Sequence, residues 1–537
     1  MIYTRLYLVF YKYRNLLTRV QNQLKKRSFR VMKVLNTEQV RLADEYTIGH
    51  EPILSLDLME RASLGLANLI QSQNRINLSL LIFAGFGNNG GDGIALARLL
   101  SNKGWRVNLY LATPDKDWSP DAKANIKRLP EQENLTISYL KPDSDLPHIQ
   151  NDDLVIDALF GSGLTREPSG FIAGIIDHLN AAKAWVISVD IPSGLFGDDN
   201  RLNSRCHVIK ASQTLTFQLP KLSFFFRENQ DFVGDWKVIP IGLHPDFIAQ
   251  AETPWNFTGY EDVSSWLKPR TKFSHKGSYG HSLILSGSNG KMGAAVLAAS
   301  ACIRSGAGLT TVALPSAGNI IVQTAVPEAM TITDQDCCFL TDIPDLSPYT
   351  AIGAGPGIGT GKETWSALQK LMKMSPVPLV LDADALNLLS RNPGSLLQVP
   401  KNSILTPHPG EYKRLFGEDA DDYSRIMRLK DLAEFYQLVI VLKGAHTAVA
   451  GPEGSVWFNI TGNSGMATGG SGDVLTGLLT GLLAQGYDPF IAARLGVFIH
   501  GLAGDIAAES TGKEALTAGD LVSSIGKAFL RIHNYSI

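Results

Sequence analysis

LSLLIFAGFGNNGGDGIALARLL, residues 78–100, runs from a strand-length apolar segment through a glycine-rich turn into a helical pattern. RVNLYLA (106–112), DLVIDALF (153–160) and WVISVDIP (185–192) follow as further strand candidates, with helical stretches such as GFIAGIIDHLNAA (170–182) between them. Alternation of this kind argues for a parallel sheet with helices on both faces. It closes with DWKVIPIGL (235–243), and a polar stretch with proline and aromatic residues follows.

The pattern then restarts with HSLILSGS (281–288), GLTTVALP (308–315), YTAIGAGPGIG (349–359), PLVLDADALN (378–387), NSILTPHPGE (402–411) and LVIVLKGAHTAVA (438–450). Beyond Gly472 it is strongly helical. The reading is two fused three-layer α/β domains, 32–245 and 277–537, joined by a linker over 246–276. A chain of 537 residues is too long for one ordinary core. Ahead of them, 1–31 is a basic extension. Nine Lys or Arg and no acid precede Glu38, a balance that fits either a targeting segment or a dispensable extension with Met32 as the start.

Hydrophobic residues at 44% and charged residues at 19% describe a globular protein, and a formal charge of -2 offers no attraction to nucleic acid or an anionic membrane. Cys206, Cys302, Cys337 and Cys338 show no CxxC spacing, which argues against a disulfide framework or cysteine metal site and for a reducing, cytoplasmic setting. No apolar run reaches the roughly 18 residues that span a bilayer.

A second glycine cluster, TGNSGMATGGSGDVLTGLL (461–479), has the same grammar as the first. At a helix N-terminus unpaired N–H groups and the macrodipole favour anions, and glycine lets backbone approach a phosphate. Neither cluster is GxGxxG or ends in GK[ST], so the standard dinucleotide and P-loop readings fail. An acid in a first helical turn is commonly dipole compensation. In GGSGD, however, Asp473 stands beside the N–H groups that would hold a transferring phosphoryl group, where a carboxylate can take a proton from an attacking hydroxyl.

These motifs resemble the bifunctional NAD(P)H-hydrate repair enzymes, an NAD(P)H-hydrate epimerase domain fused to an ADP-dependent NAD(P)H-hydrate dehydratase domain. The likeness rests on GNNGGDG, DALFGSGLTRE, VDIPSG and LTFQLPK in the first half. In the second it rests on KGSYGHSLILSGSNGKMGAAV, GAGPGIG, LDADALN, LTPHPGEYKRL, LKGAHTAV and TGNSGMATGGSGDVLTG. It covers about 32–537 and implies a Rossmann-like first domain and a ribokinase-like second. It further implies that R- and S-NAD(P)HX are interconverted and that S-NAD(P)HX is dehydrated with ADP to NAD(P)H, AMP and phosphate.

By this resemblance Asp473 is the base of the dehydratase and Asp190 the acid–base group of the epimerase. In the epimerase Asn88, Asn89, Gly90, Gly91, Asp92, Gly161, Ser162, Gly163, Leu164, Thr165, Arg166, Glu167 and Asp190 would hold the hydrate. Asn89, Asp157 and Ser193 would give oxygens to K+. In the dehydratase Ala295, Gly357, Gly359, His408 and Asp473 would line the hydrate pocket. Lys443, Gly444, Ala445, His446, Thr447 and Gly472 would contact the adenine nucleotide, with Mg2+ on its phosphates.

The partners implied are NADHX, NADPHX and ADP, with no nucleic acid and no membrane, in a homo-oligomer. Without the resemblance, Asp157 and Asp190 read as strand-end turn acids and His408 as a turn cap. Two positions depart from the family pattern: Phe86 and Ser464 stand where proline is usual. TFQLPKLSFFFRENQ is also more aromatic than the pattern. The competing readings are a ribokinase-type small-molecule kinase, since GSGD is shared with those kinases, and a first half that only binds, as in RNA-decapping scaffolds.

Overall fold

The computed structural model describes residues 32–72, 79–112 and 117–535; the basic extension lies outside the described residues. The first half is built on a seven-stranded sheet. Its strands are β2 (Leu80–Ala84), β3 (Val107–Ala112), β4 (Leu135–Leu140), β5 (Leu154–Ala158), β6 (Trp185–Val189), β7 (Gln213–Phe217) and β8 (Asp235–Ile239), in the order β4-β3-β2-β5-β6-β7-β8. Every neighbouring pair is parallel. All five residues of β2 and of β5 are buried, which is why these strands read as unbroken apolar runs. The order reverses between β2 and β5, and open parallel sheets bind ligands at such a switch point, beyond the strands' C-terminal ends.

Helices α1 (Thr37–His50), α2 (Ser55–Ser72) and α3 (Asn88–Ser101) bracket that point. Asn36 and Gln39 close a capping box at the start of α1.

The second half is an eleven-stranded sheet. Strands β10 (His281–Leu285), β11 (Leu309–Leu314), β12 (Met330–Thr333), β13 (Ala351–Ala354), β14 (Leu379–Leu381), β15 (Ile404–Leu405) and β16 (Val439–Leu442) run parallel, in the order β16-β15-β14-β13-β10-β11-β12. Strands β17 (Ala448–Ala450) and β18 (Val456–Asn459) continue the sheet antiparallel. Helices α4 (Met292–Arg304), α5 (Ser471–Ala484) and α6 (Pro489–Thr511) cover one face. By length and composition α6 is apolar enough to cross a membrane, but 89% of that window is buried inside the fold. Its arginine and histidine (Arg494, His500) interrupt the apolar stretch, which is why it does not stand out as one unbroken run.

The stretch read as a linker carries structure: a helix Pro245–Gln250, β9 (Trp255–Thr258) and a helix Tyr260–Trp266. Strand β9 lies parallel to β18, and β1 (Met32–Lys33) pairs antiparallel with β9, so the start of the first half is the edge strand of the second half's sheet. The halves also share a core. Val34, Leu222, Phe225 and Phe226 pack in one cluster with Leu405, Tyr412 and Phe458. Phe225 stacks on Phe458 with ring centroids 4.3 Å apart. Asp422 Oδ2 accepts from the Arg227 N–H at 2.8 Å, and Glu228 Oε2 from the Asp422 N–H at 3.1 Å. The aromatic excess of LSFFF thus seals one half against the other.

Candidate active sites

In the first half a cleft of about 1420 Å³ opens over the switch point. Asn88, Asn89, Asp92, Asp190 and all seven residues from Gly161 to Glu167 line it. Gly90 and Gly91 do not: they are buried inside α3. A Cβ on Gly90 would lie 1.6 Å from the Gly85 carbonyl oxygen, so this glycine lets the helix sit down on the β2 turn and does not face ligand. The N-terminal turn of α3, with Asn88 and Asn89, is the part that offers N–H groups to an anion.

Asp190 follows β6 with φ 65, a left-handed conformation that strains a non-glycine residue and recurs at functional positions. Its Oδ1 accepts from Lys221 Nζ at 2.8 Å, the Phe217 N–H at 3.2 Å and Thr216 Oγ1 at 3.2 Å. The ion pair is buried, with side chains 10% and 2% exposed. Burial raises the carboxyl's pKa, but the Lys221 ammonium and these hydrogen bonds outweigh it and hold the group below the usual carboxylate range. Asp190 is therefore ionised at neutral pH.

Two further carboxylates face the cleft. Asp92 is driven well above its ordinary value by burial, then by Asp190 and Asp44. Asp44, on α1, is pushed up to about 7 by burial and by Asp190.

Asp157 lies under the cleft, wholly buried. Its Oδ2 accepts from Ser188 Oγ (2.7 Å) and the Ser193 N–H (2.9 Å), and its Oδ1 is 2.5 Å from Ser193 Oγ. Burial raises its pKa against these hydrogen bonds. Ser193 Oγ also lies 3.2 Å from the Phe160 carbonyl oxygen, to which the Asn89 amide donates at 2.9 Å. Asn89, through its amide nitrogen, and Ser193 thus meet at the Phe160 carbonyl, with Asp157 bound to Ser193. From the second half, Trp255 and Tyr423 reach the cleft's rim.

In the second half, α5 begins at Gly470, whose φ of 90 requires glycine. Asp473 occupies the first turn. Burial, then Asp382, raises its pKa to about 6, with Lys443 opposing and Asp384 adding to the rise. Lys443 Nζ donates to Asp382 Oδ1 at 2.8 Å and lies 3.8 Å from Glu411 Oε2. Asp382 Oδ2 accepts from Thr476 Oγ1 at 2.7 Å. A Cβ on Gly472 would be 3.5 Å from both Asp382 and Lys443, so the helix start sits directly over this ion pair. His500 of α6 donates from Nε2 to the Ser471 carbonyl at 3.0 Å, and burial holds it neutral, down to about 4.

Gly357 and Gly359 follow β13, at the switch point where β10 lies between β11 and β13. The Gly359 N–H donates to Asp384 Oδ2 at 2.9 Å, and Lys291 Nζ reaches the same oxygen at 3.1 Å. His408 caps the helix Pro409–Phe416: its Nδ1 accepts from the Gly410 N–H at 3.0 Å, while burial, Lys443 and Arg414 lower its pKa.

Two residues sit elsewhere than expected. Ala295 is fully buried with Val312 and Leu314 under the loop. His446 turns toward the first half, its ring 5.4 Å from Phe225 and 6.0 Å from Trp236. Exposed Gly444 and Ala445 are left beside Lys443, with Thr447 bracing the turn by accepting from the Gly444 N–H. Sequence reasoning weighed Asp382 and Asp384 as strand-end acids and left them out of the site, and it passed over Lys221 and Asp44. Asp382 and Lys221 stand inside the quoted motifs LDADALN and LTFQLPK, where their partners are the only missing information.

The fold and these sites define a fused pair of α/β domains, each with acids beside a glycine-rich helix start. A family model described as NAD(P)H-hydrate dehydratase matches residues 282–527, and one described as YjeF-related protein N-terminus matches 55–223. The bifunctional NAD(P)H-hydrate repair enzyme of Moorella thermoacetica is 36% identical over 511 residues, covering 91% of this chain and 95% of that one. The Escherichia coli enzyme of the same name is 36% identical over 447 residues, covering 83% and 84%. An ADP/ATP-dependent NAD(P)H-hydrate dehydratase from Bacillus subtilis, crystallised with ATP/Mg2+, is 32% identical with a TM-score of 0.46, covering 51% of this chain and 98% of that one. The chain belongs to the family of bifunctional NAD(P)H-hydrate repair enzymes.

Proposed function

We propose that this chain repairs hydrated NAD(P)H in two steps: the first half interconverts the R and S hydrates, and the second dehydrates the S form with ADP, giving NAD(P)H, AMP and phosphate. The observation that carries the second step is Asp473 at the start of α5, above Lys443 and Asp382.

Water adds to the reduced ring at the carbon next to nitrogen, leaving a hydroxyl that departs poorly. Asp473 takes that hydroxyl's proton as its oxygen attacks the terminal phosphoryl of ADP. The N–H groups opening α5 and the Lys443 ammonium meet the negative charge that develops. Phosphate then leaves with the C–O electron pair, and loss of a ring proton restores the double bond. Asp382 and Asp384, held by Lys443 and Lys291 near Asp473, would meet Mg2+ riding on the nucleotide phosphates, where it would neutralise their charge.

In the first half Asp190 is the base. K+ held by Asn89, Asp157 and Ser193 would fix the Phe160 turn against the cleft. Asp190→Asn tests this step, since asparagine tolerates the left-handed backbone. The variant should lose catalysed interconversion of the epimers and keep ADP-driven dehydration of the S form. Interconversion at the parent rate would remove Asp190 from this role.

A further inference from the structure

Asp190 is a base with its proton already gone, and a base alone cannot invert the carbon that carries the hydroxyl. Removing the hydroxyl as water would give an iminium one proton away from the reduced cofactor, so the first half would dehydrate without a nucleotide. The alternative is to open the ring. Asp190 takes the hydroxyl proton and the C–O bond becomes a carbonyl. The carbon–nitrogen bond breaks with its electron pair going to the ring nitrogen, which takes a proton. Rotation of the aldehyde and the reverse steps close the ring on the other face. The step balances when a group beside the nitrogen gives it a proton and takes it back on closure, and a second group does this while Asp190 stays at the oxygen.

Seven carboxylates line the cleft. Glu38 and Glu252 are exposed, Glu167 accepts from Ser204 and Asp198 from Thr37, and of the remaining three two are committed. Asp190 is bound to buried Lys221. Asp92 is buried inside α3, where the Ser63 hydroxyl engages it. Asp44 lines the cleft from α1, partly exposed, and among the described residues it has no hydrogen-bond or ion-pair partner. It lies on a helix anchored at its start, where Asp198 Oδ2 accepts from the Thr37 N–H and hydroxyl, both at 3.0 Å. Buried Ala43 and Thr47 flank it on the same helix.

We infer that Asp44 is the general acid of the epimerase site, donating to the ring nitrogen while Asp190 acts on the hydroxyl. This rests on the reading of Asp190 given above. The charged groups facing Asp44 are Asp190 from β6, Lys221 from the segment after β7, Asp92 from α3 and, on its own helix, Glu45. Burial and the acids push Asp44 up to about 7 against the pull of Lys221, so about half of it carries a proton at neutral pH.

The test is epimer interconversion by the full chain, followed chromatographically over the uncatalysed background, for Asp44→Asn and Asp190→Asn across pH 5.5 to 9. General acids contribute roughly 10²–10⁴-fold. Asp44→Asn should therefore cut kcat by at least about 100-fold with hydrate KM within about threefold, and leave ADP-driven dehydration unchanged as the sign of an intact fold. The parent's rate should fall as pH rises past about 7, and Asp44→Glu should restore part of the activity with that limb. Asp44→Asn at near-parent rate, or residual Asp44→Asn activity that keeps the high-pH limb, overturns the assignment. If Asp190→Asn is dead while Asp44→Asn is active, only the role of Asp44 falls; if both are active, the Asp190 reading falls with it.

Discussion

Asp473→Asn should stabilise the second half while disabling it. Raising the carboxyl from 3.8 to about 6 costs the ionised form on the order of 3 kcal/mol at 1.36 kcal/mol per pKa unit. Water reaching this partly exposed group trims that to about 2 kcal/mol. The sign follows from proton linkage. Between pH 4 and 6 the folded state binds more protons at this site than the unfolded one, so stability is lost as pH rises through that window, and the penalty is complete above it. Asparagine carries no such penalty. By calorimetry at pH 8, the transition of the second half should rise by roughly 4–8 °C, taking 2–4 °C per kcal/mol for a domain of this size. The gain should shrink to about half at pH 5. Dehydration should fall by roughly 10²-fold or more. Equal melting at pH 8, or a gain that does not depend on pH, would refute the claim that the acid is held ionised at a cost.

Lys221→Met strands Asp190 in a buried site; it should lower first-half stability by about 3–5 kcal/mol and abolish epimerisation, checked by urea melts and interconversion assays. Exchanging K+ for Li+ should slow epimerisation and lower the first transition in a thermal scan, with Asp157→Asn insensitive to the exchange. Ser464 is the first residue of a short 3-10 turn capped by Asn463, a position that suits proline, so Ser464→Pro should leave dehydration within about twofold and melting unchanged or slightly raised.

Both sheets were legible because parallel strands buried on two faces leave apolar runs such as LLIFA and LVIDA, each followed by helical periodicity. The cleft residues 161–167, Asp190 and the Asp473 turn stand in contiguous motifs, so the family resemblance collected them, whereas Asp190 by local pattern alone reads as a turn acid. What depends on contacts distant in sequence was not legible. Lys221 and Asp190 are 31 residues apart and meet only because β6 and β7 are neighbours. Asp44 on α1 looks like any surface acid until the sheet is assembled beneath it. Gly90 looks like a phosphate-cradling glycine, yet the backbone of Gly85 occupies the space its side chain would fill. The stretch 246–276 has the composition of a linker and is a strand flanked by helices, held because β18 offers it an edge. His446 and LSFFF are fragments of one interface, 220 residues apart.

The account depends most on Asp473 working beside the backbone N–H groups that open α5. Purified chain given ADP, magnesium and the S hydrate should restore absorbance near 340 nm, with one AMP and one phosphate per reduced cofactor. Asp473→Asn should do so at about one hundredth of that rate or less. Recovery by the variant at the parent rate, or accumulation of a stable phosphorylated product by the parent, would contradict it.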